Sequence, residues 1–77
     1  MKFEPGDLIT VWVKSTLWFD ELQIRDEHDA RPGDLLMFLG RSKYKFIRVM
    51  HPTLGVRLIH RSSVVPVQPA ADHGITG

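Results

Sequence analysis

Apolar and polar residues alternate with a period of two along most of the chain. In Leu8–Val13, the side chains of Ile9, Val11 and Val13 fall on one face, and those of Leu8, Thr10 and Trp12 on the other. Similar stretches are short and rich in β-branched and aromatic residues, which favours strands over helices. The sequence therefore predicts an all-β fold with five strands, at Leu8–Val13, Leu35–Leu39, Tyr44–His51, Val56–His60 and Val64–Val67.

Turn signals separate these stretches. One tetrapeptide occurs twice, each time before an apolar stretch, as Pro5-Gly6-Asp7-Leu8 and as Pro32-Gly33-Asp34-Leu35. Proline fixes φ and glycine permits a positive φ, so both copies predict turns. Between the third and fourth strands, Pro52 opens and Gly55 closes a segment typical of a short hairpin loop. The adjacent apolar pair Phe46-Ile47 breaks the alternation and predicts a β-bulge.

A long excursion, residues 14–33, separates the first two strands. Leu22 and Ile24 suit one arm of an irregular hairpin with a charged tip at residues 26–29. A short helix over Asp20 to Arg25 is the alternative, because Trp18, Leu22 and Arg25 would then share a face. Near the end of the chain, residues 61–63 suit one turn of 3₁₀ helix before the last strand. We expect one domain over residues 1–68 and a disordered tail over residues 69–77, where apolar periodicity is lacking.

This order of elements resembles that of the Src-homology-3-like small β-barrels, and more narrowly the small prokaryotic and bacteriophage-encoded barrels of that class. The resemblance implies a five-stranded barrel with a long irregular loop between strands 1 and 2 and a 3₁₀ turn before strand 5. In those barrels a Gly-Asp opens the second strand, and an apolar residue followed by Val/Ile-His-Arg-Ser leads into the 3₁₀ turn. The matching segments here are Pro32-Gly33-Asp34-Leu35, Ile47-Arg48-Val49 and Gly55-Val56-Arg57-Leu58-Ile59-His60-Arg61-Ser62.

The aromatic motifs of the peptide-binding members differ from this sequence. Their Trp-Trp pair corresponds to Tyr44-Lys45-Phe46, and their Pro-x-x-Tyr to Ser62-Ser63-Val64. A polyproline groove needs parallel aromatic ridges. We therefore do not expect this chain to bind polyproline.

Composition limits the class of protein further. The chain has 77 residues and no cysteine, which excludes disulfides and cysteine-based zinc sites. So small a domain relies on its aromatic side chains or on self-association, and a homo-oligomer stays open. No stretch approaches the ~18 apolar residues of a membrane helix, and no signal peptide is evident. We expect a cytoplasmic protein that does not enter a membrane.

Charge is distributed unevenly along the chain. Residues 1–34 carry four basic and eight acidic side chains, whereas residues 35–71 carry six basic side chains and no acidic one. The imbalance suits a surface for an anionic partner. The alternative is that the two halves neutralise each other across the folded domain.

The sequence does not predict an enzyme. Ser62, Ser63, His51 and His60 supply hydroxyls and imidazoles, but a serine hydrolase needs a sharply placed nucleophile, and no Gly-x-Ser-x-Gly turn exists. The acidic run at residues 26–29 has the composition of a metal site, but adjacent side chains cannot all face one ion. We expect no catalytic residue, cofactor or metal.

Binding is the better hypothesis, and two kinds of partner remain. A protein-interaction or accessory module would be anchored by Trp12, Trp18 and Tyr44, since aromatic residues dominate interface hot spots. Alternatively, cations beside Trp18 and Tyr44 would suit single-stranded nucleic acid, which uses stacking and phosphate contacts. The candidate cations are Lys43, Lys45, Arg48, Arg57 and Arg61. We expect a non-enzymatic module with a protein partner; nucleic acid, or a structural role in a phage or other large assembly, are the alternatives.

Overall fold

The computed structural model describes residues 3–20 and 24–67, which form an all-β fold. Within these residues there is no α-helix, and no helix long and apolar enough to cross a membrane. Seven strands are present: β1 (Leu8–Val11), β2 (Ser15–Trp18), β3 (Arg25–Ala30), β4 (Leu35–Arg41), β5 (Phe46–His51), β6 (Gly55–His60) and β7 (Val64–Pro66).

All seven strands belong to one antiparallel sheet. Their order across the sheet is β3-β2-β6-β5-β4-β1-β7, so that β3 and β7 form its two edges. The sheet curls so that its two edges come close to each other: the Ser63 hydroxyl beside β7 donates a hydrogen bond of 2.9 Å to the Ser15 hydroxyl of β2, near the opposite edge. The core lies inside this curl.

Side chains alternate between the core and the outer face. The core residues are Ile9, Val11, Leu17, Ala30, Leu36, Phe38, Ile47, Val49, Ile59 and Val64. Each fully buried aliphatic side chain contributes about 1.5–3 kcal/mol to folding. The two-residue periodicity of the sequence therefore reflects one buried face of a single sheet.

The strand count differs from the expected five. Two additional strands, β2 and β3, come from the excursion between the first two predicted strands. They form a hairpin, as the sequence predicts, but its arms are Ser15–Trp18 and Arg25–Ala30, and it takes the place of the long irregular loop implied by the resemblance. Leu17 and Ala30, one on each arm, are fully buried, so the hairpin contributes to the core. The alternative helix from Asp20 to Arg25 falls partly on residues 21–23, outside the described residues, but Arg25 already belongs to β3.

The prediction of a charged loop tip at residues 26–29 is wrong. These residues belong to β3, and Asp26 is only 3% exposed. A buried carboxylate is tolerated there because Arg57 of β6 donates a hydrogen bond to it.

The predicted β-bulge at Phe46-Ile47 is also misplaced. Both residues pair without interruption, with His60 and Ile59. They simply occupy opposite faces of β5, with Ile47 in the core. The register shift lies on the neighbouring strand instead, between Phe38 and Gly40 of β4.

The repeated tetrapeptide forms the same turn twice. Gly6 and Gly33 both have φ of +96°. In each copy the aspartate carboxylate accepts a hydrogen bond of 2.9 Å from a backbone N–H three residues earlier, at Glu4 and at Arg31. Identical local sequence thus produces identical local geometry before β1 and before β4.

Several boundaries shift from their predicted positions. β1 ends at Val11 because the Trp12 N–H turns to the Ser63 carbonyl, which leaves Val13 exposed. β5 begins at Phe46, and Tyr44 lies in the preceding turn. The 3₁₀ turn is present at residues 61–63, whereas the expected tail at residues 69–77 lies outside the described residues.

Candidate functional site

A groove of about 590 Å³ opens on the outer face of the sheet where β2, β6 and β5 lie side by side. This volume lies within the range of small-ligand sites, ~300–1,000 Å³. The groove is lined by aromatic, cationic and polar side chains: Trp18, Asp20, Arg41, Ser42, Lys43, Tyr44, Phe46, Arg48 and Leu58.

Strand register brings the floor of the groove together. Leu58 of β6 is opposite both Trp18 of β2 and Arg48 of β5. Trp18 faces outward because its neighbour Leu17 occupies the core. The β5–β6 hairpin and β2, which is distant from it in sequence, thereby place an indole, an isobutyl group and a guanidinium in one row.

The aromatic wall has edge-to-face geometry. The rings of Trp18 and Phe46 have centroids 6.3 Å apart at 78°, and those of Phe46 and His60 are 5.6 Å apart at 77°. Such aromatic pairs contribute about 0.5–1.5 kcal/mol beyond their buried area. The Trp18 and Phe46 rings therefore support each other as a fixed wall.

Tyr44 has an unusual backbone conformation at the rim of the groove. Its φ is +59°, in the left-handed region that costs a non-glycine residue about 1–2 kcal/mol, and its side chain is 94% exposed. Strained residues cluster at binding sites, where geometry is maintained for function. Lys43 and Lys45 flank the exposed ring in the same turn.

The groove has a cationic rim. Its carboxylate, Asp20, accepts a hydrogen bond from Nε of Arg48, which neutralises that pair. Within residues 3–20 and 24–67, Arg41 and Lys43 form no ion pair. The local field therefore favours an anionic ligand.

Arg57 is not part of this surface, contrary to the predicted set of nucleic-acid-binding cations. It is opposite the buried Val49, and its side chain is only 14% exposed. Its guanidinium lies 4.1 Å from the centre of the Phe19 ring, and its Nε donates a 2.7 Å hydrogen bond to Asp26. Arg57 was predicted to face outward like Arg61, but it faces inward because it is paired with Val49 of β5, whose side chain lies in the core.

The pair with Arg57 also changes the acidity of Asp26. The hydrogen bond from Arg57 is the largest influence, and with the His28 backbone N–H it lowers the pKa of Asp26 from 3.8 to about 2, although burial acts in the opposite direction. Asp26 is therefore ionised throughout the physiological pH range.

The other four predicted cations line the groove or a cleft next to it. Lys43 and Arg48 line the groove itself. Lys45 and Arg61 border a smaller adjacent cleft of about 80 Å³, and the Arg61 N–H donates to the Lys45 carbonyl. Four of the five predicted cations thus lie in or beside the groove.

The predicted protein-binding residues separate into two places. Trp18 and Tyr44 both line the groove. Trp12 is absent from its lining and is 59% exposed, with Nε1 donating a 2.7 Å hydrogen bond to the Ser62 carbonyl. Among the described residues, no hydrogen bond involves the indole N–H of Trp18 or the hydroxyl of Tyr44, which leaves both groups for a ligand.

Sequence reasoning missed several groove residues: Asp20, Arg41, Ser42, Phe46 and Leu58. Arg41 and Phe46 stand on either side of Lys43 and Tyr44 in one turn, so proximity in sequence was an available signal. Leu58 had no such signal, because only strand pairing brings it to Trp18.

His60 and Ser62 contact each other, with Nδ1 and Oγ 2.6 Å apart. The same nitrogen accepts the Ser62 backbone N–H, so the imidazole caps the 3₁₀ turn. In the described part of the chain no carboxylate contacts His60, and no group of three His, Asp or Glu side chains could hold a metal ion.

Comparison of the chain with protein-family models, curated proteins and solved structures finds no match. The site is therefore interpreted from its own geometry.

Proposed function

We propose that this chain is a Src-homology-3-like barrel acting as a non-enzymatic protein-interaction module. Its groove holds a short, extended, acidic segment of a partner protein. Strand order supports the fold: β1, β4, β5, β6 and β7 correspond to the five predicted strands, the β2–β3 hairpin replaces the long loop, and the 3₁₀ turn precedes β7.

One observation carries the proposed function: an aromatic groove whose rim is cationic and whose carboxylate is already paired. Trp18 and Phe46 provide apolar contact area, while Arg41 and Lys43 offer charge-assisted hydrogen bonds to carboxylates. The free indole N–H of Trp18 suits a peptide carbonyl. A peptide with acidic and apolar side chains matches the aromatic wall, the cationic rim and the indole N–H together.

The ring geometry favours a peptide over single-stranded nucleic acid. Bases stack on exposed ring faces. Trp18 and Phe46 contact each other edge to face, and Phe46 contacts His60 in the same way, so among the groove residues only Tyr44 presents a largely exposed ring. Because the Arg57 side chain is largely buried, it also cannot provide the phosphate contact expected of it.

The test uses the fluorescence of Trp18. Trp12→Phe leaves Trp18 as the single tryptophan. This variant is titrated with a short peptide in which glutamate alternates with leucine and phenylalanine, with its lysine counterpart, and with an oligothymidylate. We expect a saturable change in emission with the acidic peptide alone, weaker at high salt.

Two charge reversals complete the test. Lys43→Glu in the groove should abolish the response, whereas Arg31→Glu, the same change in the exposed turn before β4, should leave it intact. Saturable binding of oligothymidylate without binding of the acidic peptide would instead assign the groove to nucleic acid. No response to any probe would contradict the proposal.

A further inference from the structure

A row of exposed apolar side chains crosses four neighbouring strands. Leu8 of β1 is opposite Met37 of β4, Met37 is opposite Met50 of β5, and Met50 is opposite Val56 of β6. Their exposed fractions are 52%, 41%, 40% and 38%. We call these four residues the apolar row.

The apolar row lies on the same face of the sheet as the groove. Met50 follows Arg48 by two residues on β5, and Val56 precedes Leu58 by two residues on β6. Residues two apart on a strand share a face and lie about 7 Å apart. The row therefore begins one step along the strands from the floor of the groove.

Such a row is unusual for a sheet face exposed to water. Antiparallel sheets with one solvated face normally place polar side chains on it. The row instead has no charged member, and two of its four residues are methionines, whose flexible thioether side chains adapt to different partners. Leu35, two residues before Met37 on β4, is also 51% exposed and extends the apolar surface.

We propose that the docking surface continues from the groove across the apolar row, and that one partner segment occupies both. This inference rests on the proposed function. The acidic part of the segment lies at the Arg41 and Lys43 rim, and its apolar side chains cover the apolar row from Val56 on β6 to Leu8 on β1. Three strand spacings add about 14 Å to the contact, so the segment is longer than the groove alone requires.

A partner segment fits the apolar row better than a second copy of this chain or the residues that follow β7. A second copy is a poor fit, because four side chains that are about half exposed offer far less than the ~800 Å² per partner of a standard interface. Residues 68–77 contain a single large apolar side chain, Ile75, which cannot cover four.

The experiment selects ligands directly. A phage-displayed library of random sixteen-residue peptides is selected on the immobilised full chain, and the enriched peptides are synthesised for affinity measurements. Met37→Lys and Met50→Lys test the apolar row, and Lys43→Glu tests the groove. Val13→Lys is the matched control, because Val13 has the same 41% exposure as Met37 but lies outside the row.

We expect enriched peptides with acidic residues at one end and apolar residues at the other. Each row variant should weaken their binding about tenfold, and Val13→Lys should not. If Lys43→Glu abolishes binding while both row variants bind normally, the extension is wrong and the groove proposal stands. If no peptide is enriched, or if Lys43→Glu has no effect, both proposals fail. Sedimentation showing a dimer that Met37→Lys dissociates would assign the row to a second copy and overturn the inference.

Discussion

Asp26 and Arg57 form the main buried ion pair among the described residues. Their side chains are 4% and 14% exposed, and Arg57 also lies over the Phe19 ring. The pair joins β3 to β6, and thus the added hairpin to the central strands. Desolvation makes such a pair costly to form, but leaving one charge unpaired costs more.

Replacing Asp26 by Asn should therefore destabilise the fold strongly. Removing one partner of a buried pair costs about 3–5 kcal/mol, because Arg57 keeps its charge. Urea unfolding monitored by circular dichroism measures the change. Asp29→Asn on the same strand is the control and should cost under ~1 kcal/mol, since the Asp29 partner, Lys14, is 70% exposed. Equal effects of the two substitutions would contradict this role for Asp26.

The same carboxylate predicts the acid sensitivity of the domain. The pKa of Asp26 is about 2 in the folded chain, below the ordinary value of 3.8. Its stabilising effect is therefore present above about pH 4 and is lost as the pH falls towards 2. The measurement is the urea midpoint of the wild type minus that of Asp26→Asn across this range. A difference that stays constant with pH would show that Asp26 does not titrate in this way.

At the scale of elements, turns determine where each strand begins. In both Pro-Gly-Asp turns the glycine has the same φ, and the aspartate carboxylate accepts the same backbone N–H hydrogen bond. The β5–β6 turn relies on Gly55, at φ +89°, and on the His51 imidazole, which accepts the N–H groups of Thr53 and Leu54. The residues within each turn therefore determine its geometry.

Gly55→Ala should destabilise the domain by about 1 kcal/mol, because a Cβ is disfavoured at positive φ even where space is open. Gly40→Ala is the matched control: its surroundings are also open and its φ is not positive. We expect the control to be neutral or slightly stabilising in thermal unfolding. A similar loss at both positions would mean that contacts, not backbone strain, govern the turn.

At the scale of the whole molecule, the curl of the sheet depends on contacts between distant segments. Ser63 is 6% exposed, and its hydroxyl bonds to Ser15, forty-eight residues earlier. Trp12 makes two hydrogen bonds to the same 3₁₀ turn, through its backbone N–H and its indole. The Ser63–Ser15 contact joins the two ends of the sheet, whereas the Trp12 hydrogen bonds hold the end of β1 to the turn before its neighbour β7.

Ser63→Ala should cost about 1 kcal/mol, the net value of one hydrogen bond, because the half-buried Ser15 hydroxyl retains access to water. Ser62→Ala, at the neighbouring position, removes only an exposed contact between its hydroxyl and His60 and should cost under ~0.5 kcal/mol. Guanidinium unfolding distinguishes the two variants. If Ser63→Ala is as mild as Ser62→Ala, the hydroxyl contact does not help to fix the curl.

The sequence by itself determined the all-β class, the approximate positions of five strands, their turns and the 3₁₀ segment. These features depend on local alternation and on proline, glycine and aspartate, whose conformational preferences act within a few residues. It also named Trp18, Tyr44, Lys43 and Arg48 as binding candidates, and the structure gathers all four in the groove.

Tertiary structure alone decided the rest. Strand parity placed Arg57 inside and Arg48 outside, pairing moved residues 26–29 from a predicted hairpin tip into β3, and register aligned Leu8, Met37, Met50 and Val56 in one row. None of these is encoded locally, because a one-residue change of register reverses which face every side chain occupies. The groove, likewise, exists only because three separate strands meet at Leu58.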